Sequence, residues 1–181
     1  LVFDCGPLGE GNHGHFDCLS FEFAADGRSL VVDPGRYTYS EAGDTNWRVR
    51  FRGTAAHNTV TVDGRNQTRY APKAVPATGT RHAPGSLRHR IGGPAPRVAR
   101  HAYVSHGRFG YVAASASSAE YDAVHTRHVA WLFDEYWLVV DRLEAPTVHR
   151  YEQRFQLDER AEGQATVGVR ESTCHVRSPG L

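Results

Sequence analysis

The chain has 181 residues, 40% of them apolar and 23% charged, and its 21 Lys and Arg against 20 Asp and Glu leave a formal net charge of only +1. That length predicts one well-cored domain over residues 1–181, and without an apolar run near the ~18 residues of a spanning helix the chain reads as soluble and globular, with no membrane partner. So even a balance excludes a bulk nucleic-acid binder, which would need a local basic patch, and the spacing of Cys5, Cys18 and Cys174 excludes a disulfide scaffold while leaving a single Cys5–Cys18 bridge open.

In chain order, Leu1 to Cys5 reads as a strand already inside a domain, with neither the charged nor the apolar stretch of a signal peptide. Gly6, Gly9 and Gly11 lack the spacing and following helix of a nucleotide loop and read as turn residues. After Gly11-Asn12-His13-Gly14-His15-Phe16-Asp17, the runs Phe21-Glu22-Phe23 and Leu30-Val31-Val32 flank Ala25-Asp26-Gly27, the pattern of a hairpin with Gly at the left-handed position. With residues 25–27 as its loop, Ala24 pairs with Arg28 and Leu19 with Asp33. Asp33 then shares a sheet face with His13, His15, Asp17 and Leu19.

Arg48, Arg50 and Arg52 alternate with Val49 and Phe51, so a strand here presents all three guanidinium groups on one face. Further strands are predicted at 58–62, 102–104, 110–113, 128–133, 136–140 and 150–157, with Asp134-Glu135 closing a hairpin between two aromatic strands. Residues 71–96 read as a long surface loop with a short strand near 87–91. No helix is predicted. Short strands separated by turn signals predict an all-β chain, an antiparallel β-sandwich, with Trp131 and Trp137 in its core.

The histidines at i and i+2, His13 and His15, with Asp33 and the later His57, supply enough donors to hold one divalent ion beside a reactive imidazole. This donor set favours zinc and also suits other first-row divalent ions. On these residues alone two readings stand open. One is a non-catalytic carbohydrate-binding sandwich, which has no need of His13. The other is a cupin-like metal-dependent oxygenase or hydrolase, which also uses an HxH pair, an acidic ligand and a later His.

Three ordered blocks carry a resemblance. Gly11 to Phe21, Gly27 to Tyr39 and Arg52 to Gly64 contain HxHxDxLSF, DPGxYxY and AHNTVxVDG patterns, and resemble the C-terminal β-domain of heparinase II/III-type polysaccharide lyases. The resemblance implies that His15, Asp33 and His57 hold a structural divalent metal, zinc by preference. It implies that His13 is the catalytic imidazole, that Asn12 neutralises a substrate carboxylate, and that Tyr37 and Tyr39 lie in the loop approaching substrate, Tyr39 as a catalytic and Tyr37 as a binding group. The implied reaction is β-elimination in a uronic-acid-containing polysaccharide. Its implied partner is an N-terminal helical toroid bearing a catalytic Tyr, which nothing in these residues resembles. The expectation is a fragment of a longer, periplasmic or secreted enzyme that is inactive by itself.

Beside that site, Arg48, Arg50 and Arg52 are expected to meet carboxylates or sulfates of the polymer, and Trp47 to stack on a sugar ring. Asp17 is expected to orient an imidazole without binding metal, and Asn58 to hold backbone. The remaining histidines have no ligand spacing and no expected role.

Overall fold

The computed structural model describes residues 1–9, 13–25, 27–76, 86–133, 136–161, 166–170 and 173–177. Asn12 and the Asp134-Glu135 turn lie outside the described residues. The elements in order are β1 (Val2–Phe3), β2 (Phe21–Ala25), β3 (Arg28–Val31), α1 (Trp47–Phe51), a 3-10 turn (Thr54–Ala56), β4 (Val60–Val62), β5 (Tyr70–Ala74), β6 (Leu87–Ile91), β7 (Arg97–His106), β8 (Phe109–Ser117), β9 (Val124–Leu132), β10 (Tyr136–Glu144), β11 (Tyr151–Gln153), a 3-10 turn (Glu159–Ala161), β12 (Thr166–Arg170) and β13 (Thr173–Arg177). The chain is nearly all β, as predicted, and every strand pairing among the described residues is antiparallel. No helix of the described residues is long and apolar enough to cross a membrane.

One layer is the four-stranded sheet in the order β10-β9-β8-β7. Its register puts Gly110, Trp131 and Trp137 in one row, Val112, Val129 and Val139 in the next, then Ala114, Arg127 and Asp141, then Ala116, His125 and Leu143. Period-two alternation sends this whole set to one face, and it is the buried or half-buried one. Gly110 is required by space: a Cβ there would lie 1.5 Å from Trp131 Cζ2, so its absence lets the indole lie across the sheet.

The facing layer begins as the sheet β1-β2-β3. The 150–158 segment extends it, pairing with β4 through Tyr151, Glu152 and Gln153 and with β3 through a Val31–Leu157 bridge and the Val32 N–H to Gln156 carbonyl bond of 2.9 Å. Between the layers Phe23 stacks on Trp137 at 5.0 Å, and Cys18 and Leu19 pack on Ala114 and Ala116. Both Cys5 and Cys18 are free thiols, so the bridge left open by spacing is not formed.

Several local expectations are corrected. The hairpin pairs Ala25 with Arg28 and Ala24 with Ser29, and a bulge between Phe23 and Ala24 then shifts the register so that Phe23 faces Val31. Leu19 never enters the ladder: its backbone turns left-handed (φ 64°), and 13–20 is irregular chain rather than a strand facing Asp33. The 71–96 stretch is partly a hairpin, β5 on β6, whose connecting residues 77–85 lie outside the described ones. Most consequentially, 47–51 is not a strand. Asn46 caps α1 by accepting the Val49 N–H at 3.1 Å. The helix turns Arg48 and Arg52 inward, both at 0% exposure, and leaves Arg50 outside.

Candidate active site and metal centre

His13 to Ser20 must be held without a ladder, and buried polar side chains take its place. Gly14 is buried where a Cβ would fall 2.1 Å from the Gly9 carbonyl oxygen. Arg52 donates to the Gly14 carbonyl from Nε at 2.9 Å and Nη2 at 2.8 Å, and its own carbonyl accepts the Phe16 N–H at 2.9 Å. The Gln67 amide imitates a strand neighbour, accepting from Cys18 N–H and donating to Cys18 carbonyl, each at 2.9 Å. These bonds fix the peptide units on either side of His15 and Asp17.

Asn58 performs the same service for the other two loops. At 0% exposure its Nδ2 donates to the carbonyls of Phe21 (2.9 Å) and Val32 (3.0 Å), and its Oδ1 accepts the Gln156 N–H at 2.6 Å. Val32 is thereby pinned just before Asp33, and Asn58 follows His57 directly. From the opposite layer Arg127 donates to the carbonyls of Leu19, at 2.8 Å, and Asn58. Its guanidinium is otherwise held by Asp141 through Nε–Oδ1 at 2.7 Å and Nη2–Oδ2 at 2.8 Å, a two-point pairing. His125 Nε2 donates to the same carboxylate at 2.7 Å. Burial would raise the Asp141 pKa, but the bonds from Arg127 and His125 hold it well below the usual carboxylate range.

The result is a cluster of His15, Asp33 and His57 whose ligand atoms lie within 4.8 Å of one another. The three sequence-predicted metal ligands therefore meet, although from three loops rather than from one hairpin. Asp33 accepts the Gly35 N–H at Oδ1 (2.8 Å) and bonds His57 Nδ1 at Oδ2 (2.6 Å). Burial alone would push its carboxyl up, and the His57 and Gly35 bonds bring it below its ordinary value. Burial, with the neighbouring His57 charge, lowers His15 to about 4, so this imidazole is neutral near pH 7 and has a lone pair to give.

A divalent ion fits this donor set. Two imidazoles and an ionised carboxylate are the composition of many zinc sites, and His57 Nε2 is buried with no hydrogen-bond partner among the described residues. Around a tetrahedral ion with bonds of about 2.0–2.1 Å the donors stand roughly 3.3 Å apart, so the cluster is within about 1.5 Å of closing. Asp17 is half-buried nearby, its carboxyl pushed up to about 6 by burial and by Asp4 and Asp33, against the His57 charge.

One residue before Gly14, His13 is exposed and stands edge-on to Tyr39 with ring centroids 6.4 Å apart. Arg36 ties the two together, its guanidinium 3.3 Å above the Tyr39 ring and its Nη1 3.3 Å from His13 Nδ1. A guanidinium only donates, so Nδ1 accepts and the proton of the neutral ring is on Nε2. Tyr37 turns the other way and stacks on Phe51 at 4.9 Å and 17°. Of the three arginines expected to meet substrate, Arg50 alone is exposed; Arg48 bonds Glu41 at 3.1 Å and Arg52 holds Gly14.

Arg36 and Arg127 had no role in the sequence reading. Arg36 lies inside the DPGRYTY block, where its chemistry was masked by the tyrosines. Arg127 did carry a signal: it shares alternation phase with Val129 and Trp131, and a charge at an inward phase needs a buried partner, which Asp141 is at the inward phase of β10.

The family model described as Heparinase II/III-like, C-terminal, matches residues 1–179. Among solved structures, the crystal structure of heparan sulfate lyase HepC from Pedobacter heparinus is similar at TM-score 0.65 and 21% identity, covering 89% of this chain. A mutant of that lyase is similar at TM-score 0.64 and 22% identity, again over 89% of this chain. The chain spans 21% of the length of either structure. Comparison with curated proteins finds no match.

Proposed function

The chain belongs to the heparinase II/III-like C-terminal family, and from that membership we propose that it forms half the active site of a polysaccharide lyase acting on a uronic-acid-containing acidic polysaccharide by β-elimination. The observation that carries this reading is the exposed meeting of His13, Tyr39 and Arg36 beside the His15, Asp33 and His57 cluster. In the elimination the C5–H electron pair becomes the C4=C5 double bond, the C4–O bond breaks toward oxygen, and that oxygen leaves with a proton. The carboxylate next to C5 must be neutralised as enolate-like charge develops. Arg36, a permanent cation, and the Asn12 amide are this chain's groups for that task.

With Nδ1 held by Arg36, His13 presents Nε2–H and protonates the departing oxygen. Removal of the C5 proton then falls to a phenolate: the resemblance supplies a toroid tyrosine, and Tyr39 is the phenol this chain sets beside the ring. His15, Asp33 and His57 would hold the divalent ion, zinc by donor type, which when bound braces three loops. Because elimination consumes no water, these ligands need no open coordination position for one.

The test is elimination by the longer protein on glucuronate, iduronate, mannuronate and guluronate polymers, followed as absorbance of the unsaturated product. His13→Ala should lower the rate by about a hundredfold or more, in the range of a lost acid–base group. This chain alone should show negligible turnover. Turnover by the chain alone, or undiminished turnover by His13→Ala, overturns the proposal.

A further inference from the structure

A row of aromatic rings beside the site has no part in the chemistry above. Tyr37 is 70% exposed and Trp47 41%, yet both are ordered against Phe51, Tyr37 at 4.9 Å and Trp47 at 6.1 Å. Tyr37 and Trp47 themselves lie 6.1 Å apart. Two large exposed rings held side by side, rather than scattered singly, point to a ligand.

The backbone adds an independent sign. Tyr37 has φ 62°, and the Thr38 N–H bonds the Arg36 carbonyl across it at 2.7 Å, which makes a γ-turn with a positive-φ centre. Such a turn is rare and strained for any residue with a side chain, and glycine would make it freely. The fold holds an aromatic ring there nonetheless, aimed at solvent. Strain of this kind gathers at ligand-contacting positions.

Charge says what the ligand is. Arg50, the one arginine of α1 turned outward, has its guanidinium 5.2 Å from the Trp47 ring, and Arg36 covers Tyr39 at the other side. Of the two acids in the 41–46 loop, Glu41 is already bonded to Arg48 and His89, which leaves Asp44 alone against Arg36 and Arg50. Aromatic faces accept the C–H faces of a pyranose, and guanidinium groups pair with carboxylate or sulfate. We propose that Tyr37, Trp47 and Phe51, with Arg50, form a stacking subsite for an anionic sugar unit one step along the polymer from the unit at His13. This rests on the polysaccharide reading of the site.

The experiment follows the tryptophan indole signals of the ¹⁵N-labelled chain, three in all, on adding a heparan sulfate tetrasaccharide or, separately, neutral maltotetraose. The Trp47 signal, identified by its loss in Trp47→Ala, should shift saturably with the acidic probe alone, while Trp131 and Trp137 stay still and report an intact fold. Trp47→Ala and Tyr37→Gly, the latter compatible with positive φ, should each weaken binding about tenfold, and Arg50→Gln about threefold. An unmoved Trp47 signal, equal shifts with the neutral probe, or undiminished binding by Trp47→Ala combined with Tyr37→Gly overturns the subsite. If Trp47 stays unmoved while the longer protein cleaves uronate polymers through His13, the subsite falls and the lyase reading stands. If Trp47 shifts and no uronate polymer is cleaved, the subsite stands as an anionic-sugar site and the lyase reading falls.

Discussion

Arg52→Met separates a clamp from a substrate contact. The guanidinium is fully buried, donates twice to the Gly14 carbonyl and once to the His89 carbonyl at 3.3 Å, and lies 5.5 Å from the Tyr70 ring. Methionine keeps much of the volume and removes every donor. The buried Gly14 carbonyl then loses its partner, and the half-buried His89 carbonyl loses a longer bond, at about 1–3 kcal/mol each at most, so the gross cost is at most about 2–6 kcal/mol. Part of this is offset because the variant no longer desolvates a cation, a cost visible in burial lowering the Arg52 pKa. A net loss of about 3 kcal/mol is expected, read as a lower urea midpoint at constant slope. Arg52→Lys keeps the charge but cannot form the fork, and should recover less than half of the loss. Because the clamped carbonyl lies between His13 and His15, zinc affinity by chelator competition should fall about tenfold or more as well. A variant within about 0.5 kcal/mol of the unaltered chain refutes the clamp, since that is the scatter of ordinary surface substitutions. Unchanged stability with weaker binding to an acidic polymer would restore Arg52 to the substrate.

Zinc at a hundred times its dissociation constant should stabilise the chain by about 2.7 kcal/mol, roughly 5–10 °C in Tm, and His57→Ala should abolish the shift; an equal shift in both chains would remove the metal site. His149 lies between Asp63, at 2.7 Å, and Asp122, and these two hydrogen bonds raise its pKa above the ordinary 6.5. Its contribution is therefore fully present below pH 6.5 and is lost as pH rises through the raised value, so urea midpoints should fall there and His149→Gln should flatten the fall. A pH profile that is the same in both chains counts against it. Replacing Arg127 and Asp141 together by Met and Leu should not restore stability, although apolar replacements of a buried pair often do, because the Leu19 and Asn58 carbonyls still lose their donor. Full recovery in the double variant would show that Arg127 serves Asp141 alone.

The three donors that the structure brings within 4.8 Å were legible because ligand chemistry is a property of residue type, and His15, Asp33 and His57 keep it in any backbone. The β class was legible from alternation, which is why β8, β9 and β10 fall where expected and run longer. Register was not. A single bulge at Phe23 and Ala24 and the left-handed turn at Leu19 break the period on which face assignment depends, and neither leaves a mark in side-chain type. At 47–51 the pattern itself was ambiguous, since arginines at 48, 50 and 52 satisfy a strand at i, i+2 and a helix at i, i+4. Asn46 was the residue that settled it, through its cap.

The broken register also explains why the site is built on polar side chains. Strand pleat places successive residues on opposite faces, so a ladder cannot bring 13–17, 33 and 57 to one point while also burying Phe16, Leu19 and Val32's neighbours. Loops can, but each loop carbonyl removed from water then needs a donor. Arg52, Asn58, Gln67 and Arg127 supply those donors, and none of the four touches the metal cluster through its own side-chain bonds. The same polar groups that fix the loops thus hold His15, Asp33 and His57 within 4.8 Å of one another, and Arg52 ties His13 to that cluster through the Gly14 carbonyl.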